Sequence, residues 1–437
     1  MRIDSLHLEG VGPFENTTIE FPRGKRDDRA DVYLLVGENG CGKTTALHSL
    51  ATLLSPGATI GLGVARRFRT PNSRISLSGP EVDLLAIRSG GRIDAGERMT
   101  QDDARNGLIN LMRAPPAFDL WREDIIEGGF FGQRAYEWAA FAYSGNRFFE
   151  RGNVGSLEEN RAHPLVGSLG FSAADESQTL ATWIAGQQFK RLKAIEAGQQ
   201  DRAAQFKRSI ETIEGAVRGI IGDDFAFHSS VDDLNVRVLL GDDVIDFDLM
   251  PAGVKSIVSW ISDLLMRMDR IQWAQGVPVL EREFLLLLDE IEVHLHPAWQ
   301  RKLLPAIQQA FPKAQIIAST HSPFVVASLE DGAVIELTLD EKGRSHAERA
   351  VRAPLEMSYS QTLRRLFGIE SDFDVETEKL FKELQATATR VLKGESGARE
   401  ELDRRAAELK TRGEEIAQLV QFELNQLNRL KPRPTGT

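Results

Sequence analysis

Gly37-Glu38-Asn39-Gly40-Cys41-Gly42-Lys43-Thr44 follows the spacing G-x-x-x-x-G-K-[ST], and Asp289-Glu290 closes the apolar run "FLLLL" far downstream. The first stretch carries the parts of a phosphate cradle. Its glycines let successive backbone N–H groups turn toward one centre, Lys43 supplies a cation that reaches terminal phosphates, and Thr44 offers a hydroxyl to Mg2+. Asn39, Gly40, Cys41, Gly42, Lys43, Thr44 and Thr45 are therefore candidate contacts to ATP. The second stretch carries the complementary charges: Asp289 would hold Mg2+ together with Thr44, and Glu290 would orient and deprotonate an attacking water. His321, in "STHSPF" just past another buried run, falls on the edge where parallel sheets bind ligands, and is read as a sensor of the terminal phosphate.

Other groups invite chemistry and are weighed against plainer roles. His294 and His296, two apart, could share a face of an extended segment as metal ligands, but no further ligand lies nearby and two structural histidines are the preferred reading. Cys41 is read as a small filler rather than a redox switch. Being the single cysteine, it excludes an internal disulfide and a multi-cysteine zinc site. Asp372 and Asp374 precede a helical pattern, where acidic residues complement the positive end of a helix.

Elements that would position these groups follow from periodicity. Residues 1 to 36 alternate apolar and polar positions between Gly and Pro, an antiparallel ribbon leading into the buried strand "VYLLV"; a helix follows from Lys43. Residues 178–221 read as a helical hairpin joined at "AGQQD", its second arm carrying Phe206, Ile210, Ile213, Val217 and Ile220. Strands are expected at "LNVRVLL", "VIDFDLM", "FLLLL" and "AQIIAST", with helices over 252–270 and 298–311, the alternation of a parallel sheet with crossover helices. No strand is expected beyond about 340. After 355 the pattern is helical: "VETEKLFKELQATATRVL" and one longer run, "AREELDRRAAELKTRGEEIAQLVQFELNQLNRL", flank a "KGESG" break, and residues 431–437 read as a loose tail.

The chain has 437 residues, 42% of them hydrophobic, enough for two or three packed units. Its 64 acidic against 53 basic residues, net −11, argue against a protein whose main task is coating nucleic acid. The N-terminal stretch lacks a signal-peptide core and no apolar run is long enough to span a bilayer, so a soluble cytoplasmic protein without membrane contact is expected.

Phosphate loop, "LLLLDE", "HLHP" and "STHSPF" in this order resemble the ABC-type ATPase heads of the RecF, SMC and OLD group. More narrowly, "FAYSGNR", "SIVSWISDLLMRMDR", "DEIEVHLHPAWQRKLLPAIQQAFPKAQIIASTHSPFVVASL" and "TLRRLFGIES" resemble the ATPase subunit of Septu-type antiphage defence systems, sometimes retron-linked. The resemblance implies an α/β P-loop NTPase fold of the ABC-head type, an antiparallel ribbon plus a mainly parallel sheet, with a helical insertion and a helical C-terminal extension. It divides the chain into an N-terminal lobe (1–56), an insertion (57–234), a C-terminal lobe (235–350), a helical extension (355–430) and a tail. It further implies ATP and Mg2+ as ligands, a homodimer or higher homo-oligomer closing around nucleotide, a separately encoded HNH-type nuclease partner, and DNA contact through the complex. In that group a signature motif from each subunit completes the other's site. "MPAGVKSIVSW" aligns with it and assigns Gly253 to the site in trans, although Pro251 stands where the motif has a serine, so Lys255 or Ser256 would have to replace a lost donor and slow hydrolysis is expected. Gln133 is the candidate for the group's glutamine-loop residue.

A DNA-cutting OLD protein carries a Toprim domain, whose upstream glutamate on a βαβ unit has no counterpart around Asp372 and Asp374, and none of the eight histidines has HNH spacing. The apolar stripes Leu380, Phe381, Leu384 and Leu409, Ile416, Leu419, Val420, Leu424, Leu427 either dock an effector or second copy, or pack on their own head. A RecF-like DNA-repair clamp and a PARIS-type trigger ATPase guarding a Toprim effector are the alternative functions; a membrane-transporter subunit is disfavoured by the missing serine.

Overall fold

The computed structural model describes residues 1–54, 64, 67–70, 73–87, 109–113, 135–145, 163–171, 176–222, 225–229, 236–274, 276–353, 357, 359–368 and 373–430. Gln133, Asp372, the tail 431–437 and most of the stretch 57–150 lie outside the described residues. The chain divides into two units, 1–362 and 363–437.

In the first unit the strands are β1 (Ser5–Val11), β2 (Phe14–Glu20), β3 (Asp31–Val36), β4 (Arg74–Ser78), β5 (Asp83–Ile87), β6 (Ile109–Arg113), β7 (Ala139–Tyr143), β8 (Phe225–Ser229), β9 (Val236–Leu240), β10 (Asp243–Ile245), β11 (Phe284–Leu288), β12 (Ala314–Ser319), β13 (Gly332–Leu339), β14 (Ser345–Ala347) and β15 (Val351–Arg352). The helices are α1 (Lys43–Leu54), α2 (Glu176–Glu196), α3 (Gln200–Ile221), α4 (Ala252–Arg270), α5 (Pro297–Ala310) and α6 (Pro323–Ala327), with α7 (Tyr359–Phe367) running across the division.

One sheet runs β6-β5-β4-β1-β2-β14-β13-β3-β12-β11-β7. Its β13-β3-β12-β11-β7 half is parallel throughout, and the β6-β5-β4-β1-β2 half antiparallel. Every residue of β7, β11 and β12 is buried, as strands covered on both faces must be. A polar residue survives there because it is satisfied: Gln315, in β12, donates from its side-chain nitrogen to Ile3 O at 2.6 Å and accepts from Ile3 N at 2.9 Å. Phe141, Phe284 and Phe311 meet edge-on across the parallel half, at 6.1 and 5.5 Å between ring centres.

The expected ribbon, hairpin and strand-helix alternation are present, the hairpin as α2 and α3 joined at Ala197–Gln199. Strands β4, β5 and β6, from the stretch assigned to the insertion, extend the same sheet beyond β1. The structure departs from expectation in two places. Two short strands follow residue 340, β14 and β15, each pairing with β13; "SHA" and "VR" are too short to show an alternating pattern. The long C-terminal helix is two helices.

That second unit contains α8 (Val375–Leu392), α9 (Ala398–Lys410) and α10 (Glu414–Leu430). Asp374 caps α8, accepting from the backbone N–H groups of Glu376 and Thr377 at 3.1 and 3.0 Å, the plainer of its two readings. Gly413, at φ +148°, turns the chain between α9 and α10 and brings the apolar stripes together: Leu384, Leu402, Ala406, Leu409, Val420 and Leu427 form a buried core, with Leu380, Phe381, Ile416 and Leu424 packed against it. Most of the stripe therefore packs on its own unit, while Leu419 and Phe422 stay exposed.

Candidate functional site

Parallel strands place their following loops on one edge. Leu35 of β3 lies opposite Ser319 of β12, and Leu288 of β11 lies opposite both Ala318 of β12 and Tyr143 of β7. Beyond the strands the tips are stitched by backbone bonds: Thr320 N to Leu35 O at 3.2 Å, Ile291 N to Ser319 O at 3.2 Å and Asp289 N to Tyr143 O at 2.9 Å. The 37–44 loop, Asp289-Glu290 and His321 thus share one sheet edge, which is where open α/β sheets bind ligands.

The loop is shaped by its glycines. Gly40 and Gly42 sit at φ +84° and +100°, and a Cβ on Gly42 would lie 2.6 Å from the Phe14 ring. Left-handed backbone of this kind turns N–H groups into an anion-binding concavity. Lys43 is nearly buried and donates from Nζ to Gly37 O at 2.8 Å and Glu38 O at 2.9 Å, so its ammonium is held inside the loop. Asn39 and Gly40 are exposed at the loop's crest, and Thr44 is half-buried. Cys41 is buried, 3.6 Å from Lys43 Nζ, as a filler would be. Thr45 is buried and accepts from Arg67 Nη1 at 2.7 Å.

Asp289 is 8% exposed and Glu290 is exposed. Ser319 Oγ donates to Asp289 Oδ1 at 2.5 Å and accepts from Glu290 N at 2.7 Å. Glu290 sits at φ +47°, a left-handed conformation a non-glycine residue adopts only when its surroundings impose it. Glu292 ties down the next loop, accepting from Thr320 Oγ1 at 2.7 Å and from His321 N at 2.6 Å. Burial first, and the Lys43 ammonium second, hold the His321 imidazole below its ordinary pKa, against opposing pulls from Glu292, Glu290 and Asp289. A neutral ring at neutral pH keeps one donor and one acceptor nitrogen.

Ser319 and Glu292 were not singled out from the sequence. The available signals were the last acid in "DEIE" and the paired hydroxyls before His321, neither distinctive without the fold. Of the two doubtful histidines, His296 accepts at Nδ1 from Ala298 N at 3.2 Å and caps α5. Among the described residues no three His, Cys, Asp or Glu groups converge as a metal cluster.

Gly253 lies in the first turn of α4, which begins at Pro251 without a side-chain cap. It is buried against its own chain: a Cβ there would come within 2.8 Å of His294 O and 3.1 Å of the Trp299 ring. Close packing therefore accounts for a glycine at 253 within a single chain.

The donor set suits a magnesium-bound triphosphate. Thr44 and Asp289 could offer hard oxygens of the kind Mg2+ prefers, and the glycine loop with Lys43 could take the anion side. No described helix is long and apolar enough to cross a membrane.

Residues 203–327 match a family model described as "AAA domain, putative AbiEii toxin, Type IV TA system", and residues 5–80 match one described as "AAA domain". The chain is 25% identical over 348 residues to "Septu protein PtuA" of Bacillus thuringiensis, spanning 78% of this chain and 76% of that one. It is 22% identical over 435 residues to "Retron Ec83 probable ATPase" of Escherichia coli, spanning 84% and 76%. Among solved structures, the SMC head domain from Thermotoga maritima aligns with a TM-score of 0.41 at 13% identity, over 80% of this chain and 98% of that one.

Proposed function

We propose that this chain, an ATPase of the P-loop class similar to the Septu and retron ATPases, is a nucleotide-gated switch subunit that pairs around ATP and controls a separately encoded nuclease in antiphage defence. The convergence of the 37–44 loop, Asp289-Glu290 and His321 on one edge of the parallel half-sheet carries the chemical part of this reading. Similarity to the defence ATPases over most of the chain supports the biological part.

Loop N–H groups and Lys43 bind the phosphates, and Mg2+ on Thr44 and Asp289 would supply charge neutralisation there. Glu290 takes the proton of the attacking water, and His321 reports on the terminal phosphate through a nitrogen of its neutral ring. The Pro251 start of α4 offers free backbone N–H groups but no hydroxyl, which favours slow turnover and a long-lived ATP-bound pair, as suits a switch.

Analytical ultracentrifugation and equilibrium ATP binding test this on the full chain. Lys43→Ala abolishes binding, whereas Glu290→Gln retains ATP and accumulates as a dimer; equal ATP affinity in the two variants contradicts the roles assigned. Co-expression with a nuclease encoded beside it, expected to be of the HNH type, gives a complex whose stability changes with nucleotide. Salt-sensitive DNA affinity of the isolated chain, with no nuclease complex, would favour a DNA clamp instead.

A further inference from the structure

The end of β7 touches both carboxylate residues. Tyr143 O accepts from Asp289 N at 2.9 Å. Two residues on, a Cβ added to Gly145 would lie 2.8 Å from Glu290 Cβ and 3.0 Å from Glu290 Oε2, so the glutamate side chain occupies space that only a glycine leaves open. Gly145 is not left-handed, which makes space, not backbone freedom, the reason for glycine. Glu290 itself holds a strained φ, and strain persists only where neighbours over-determine it.

Tyr143 also reaches the other way. Its hydroxyl donates to Asp263 Oδ2 at 2.9 Å, and Asp263, 4% exposed on α4, accepts from Arg267 Nε at 2.6 Å. Arg267 Nη1 in turn donates to Pro164 O and Val166 O at 2.8 and 2.9 Å. A buried charge with this many partners fixes geometry more than it adds stability. Asp263 lies about three turns along α4 from its Pro251 start.

We propose that the tip of β7, Tyr143 to Gly145, is a positioning element that holds Glu290 in its hydrolytic pose and links it, through the Tyr143 hydroxyl and Asp263, to α4. The inference rests on the hydrolytic role proposed for Glu290. A small displacement of that carboxylate from its water is expensive in rate and cheap in binding.

Steady-state ATP hydrolysis and equilibrium binding of a fluorescent ATP analogue with Mg2+ test it on the full-length chain. Gly145→Ala lowers kcat at least tenfold with Kd within twofold, and adds no further loss in the Glu290→Gln background. Tyr143→Phe keeps the ring against Trp260 and removes only the hydroxyl; it lowers kcat several-fold at unchanged Kd. Parallel loss of kcat and binding in both variants would mean a merely structural role and overturn the proposal. Should Gly145→Ala fail to fold, Tyr143→Phe decides alone, and wild-type kcat in it cuts the link to α4. If Glu290→Gln is impaired while Gly145→Ala and Tyr143→Phe are not, the positioning idea falls and the hydrolytic reading stands. If Glu290→Gln turns over like wild type, both fall.

Discussion

Ser319 donates its hydroxyl proton to Asp289 at 2.5 Å, and the same oxygen accepts the backbone N–H of Glu290. A single fully buried hydroxyl on β12 therefore fixes the direction of the carboxylate just past β11 and the backbone of the acid that follows it.

Ser319→Ala removes that donor and leaves Asp289 freer to rotate. Loss of an outer partner of a metal ligand costs roughly 10- to 100-fold in metal affinity. The half-saturating Mg2+ concentration for ATP hydrolysis should rise by about tenfold, read from an Mg2+ titration at saturating ATP, while Ser319→Thr, which keeps the hydroxyl, should lie closer to wild type.

Gly253→Ala should destabilise the first unit by about 1–3 kcal/mol, because the new methyl presses on the His294 carbonyl and the Trp299 ring. Urea denaturation measures it. Gly253→Glu would therefore mix a packing defect with any effect on a partner's nucleotide, and Ala252→Glu, at an exposed position beside it, is the cleaner probe of an interface. It should slow hydrolysis and weaken pairing while leaving urea stability within about 0.5 kcal/mol.

His48, one turn into α1 past the phosphate loop, packs at a tilt against the Phe171 ring, 4.6 Å between ring centres. Burial, reinforced by the Arg67 charge, lowers its pKa to about 4. The unfolded chain takes up a proton near pH 6.5 that the folded chain refuses until about pH 4, so folded stability falls as pH drops through that window and is unaffected above it. After allowance for solvent screening the loss is on the order of 1–2 kcal/mol. Urea midpoints between pH 7 and pH 4.5 should show it, and His48→Gln should flatten the profile.

Leu409→Ala in the second unit opens a hole in the core it shares with Leu384, Leu402 and Val420, at a cost of about 2–5 kcal/mol. Far-UV circular dichroism should then resolve an earlier helical transition, with ATP binding retained. Coincident loss of ATP binding would show that the first unit depends on the second.

Much of this was readable in one dimension because the signals are local. "FLLLL" and "AQIIAST" announce two-sided strands by lacking any polar alternation, and the phosphate loop is defined by spacing within eight residues. Strand order is not local: nothing in β3 tells that its neighbours are β12 and β13. The same gap hid Ser319, Glu292 and Gly145, whose roles exist only across strands. The α9–α10 break was masked by composition, since Ala, Glu, Lys and Arg all favour helix and only Gly413 objects.

The position of β3 has a consequence during synthesis. Both of its sheet partners, β12 and β13, belong to the last third of the chain. At about 5–20 residues per second, the strand carrying the nucleotide loop waits roughly 15–60 s for its first neighbour to leave the ribosome, an interval in which an apolar, unpaired edge stands open to chaperones or to other nascent chains.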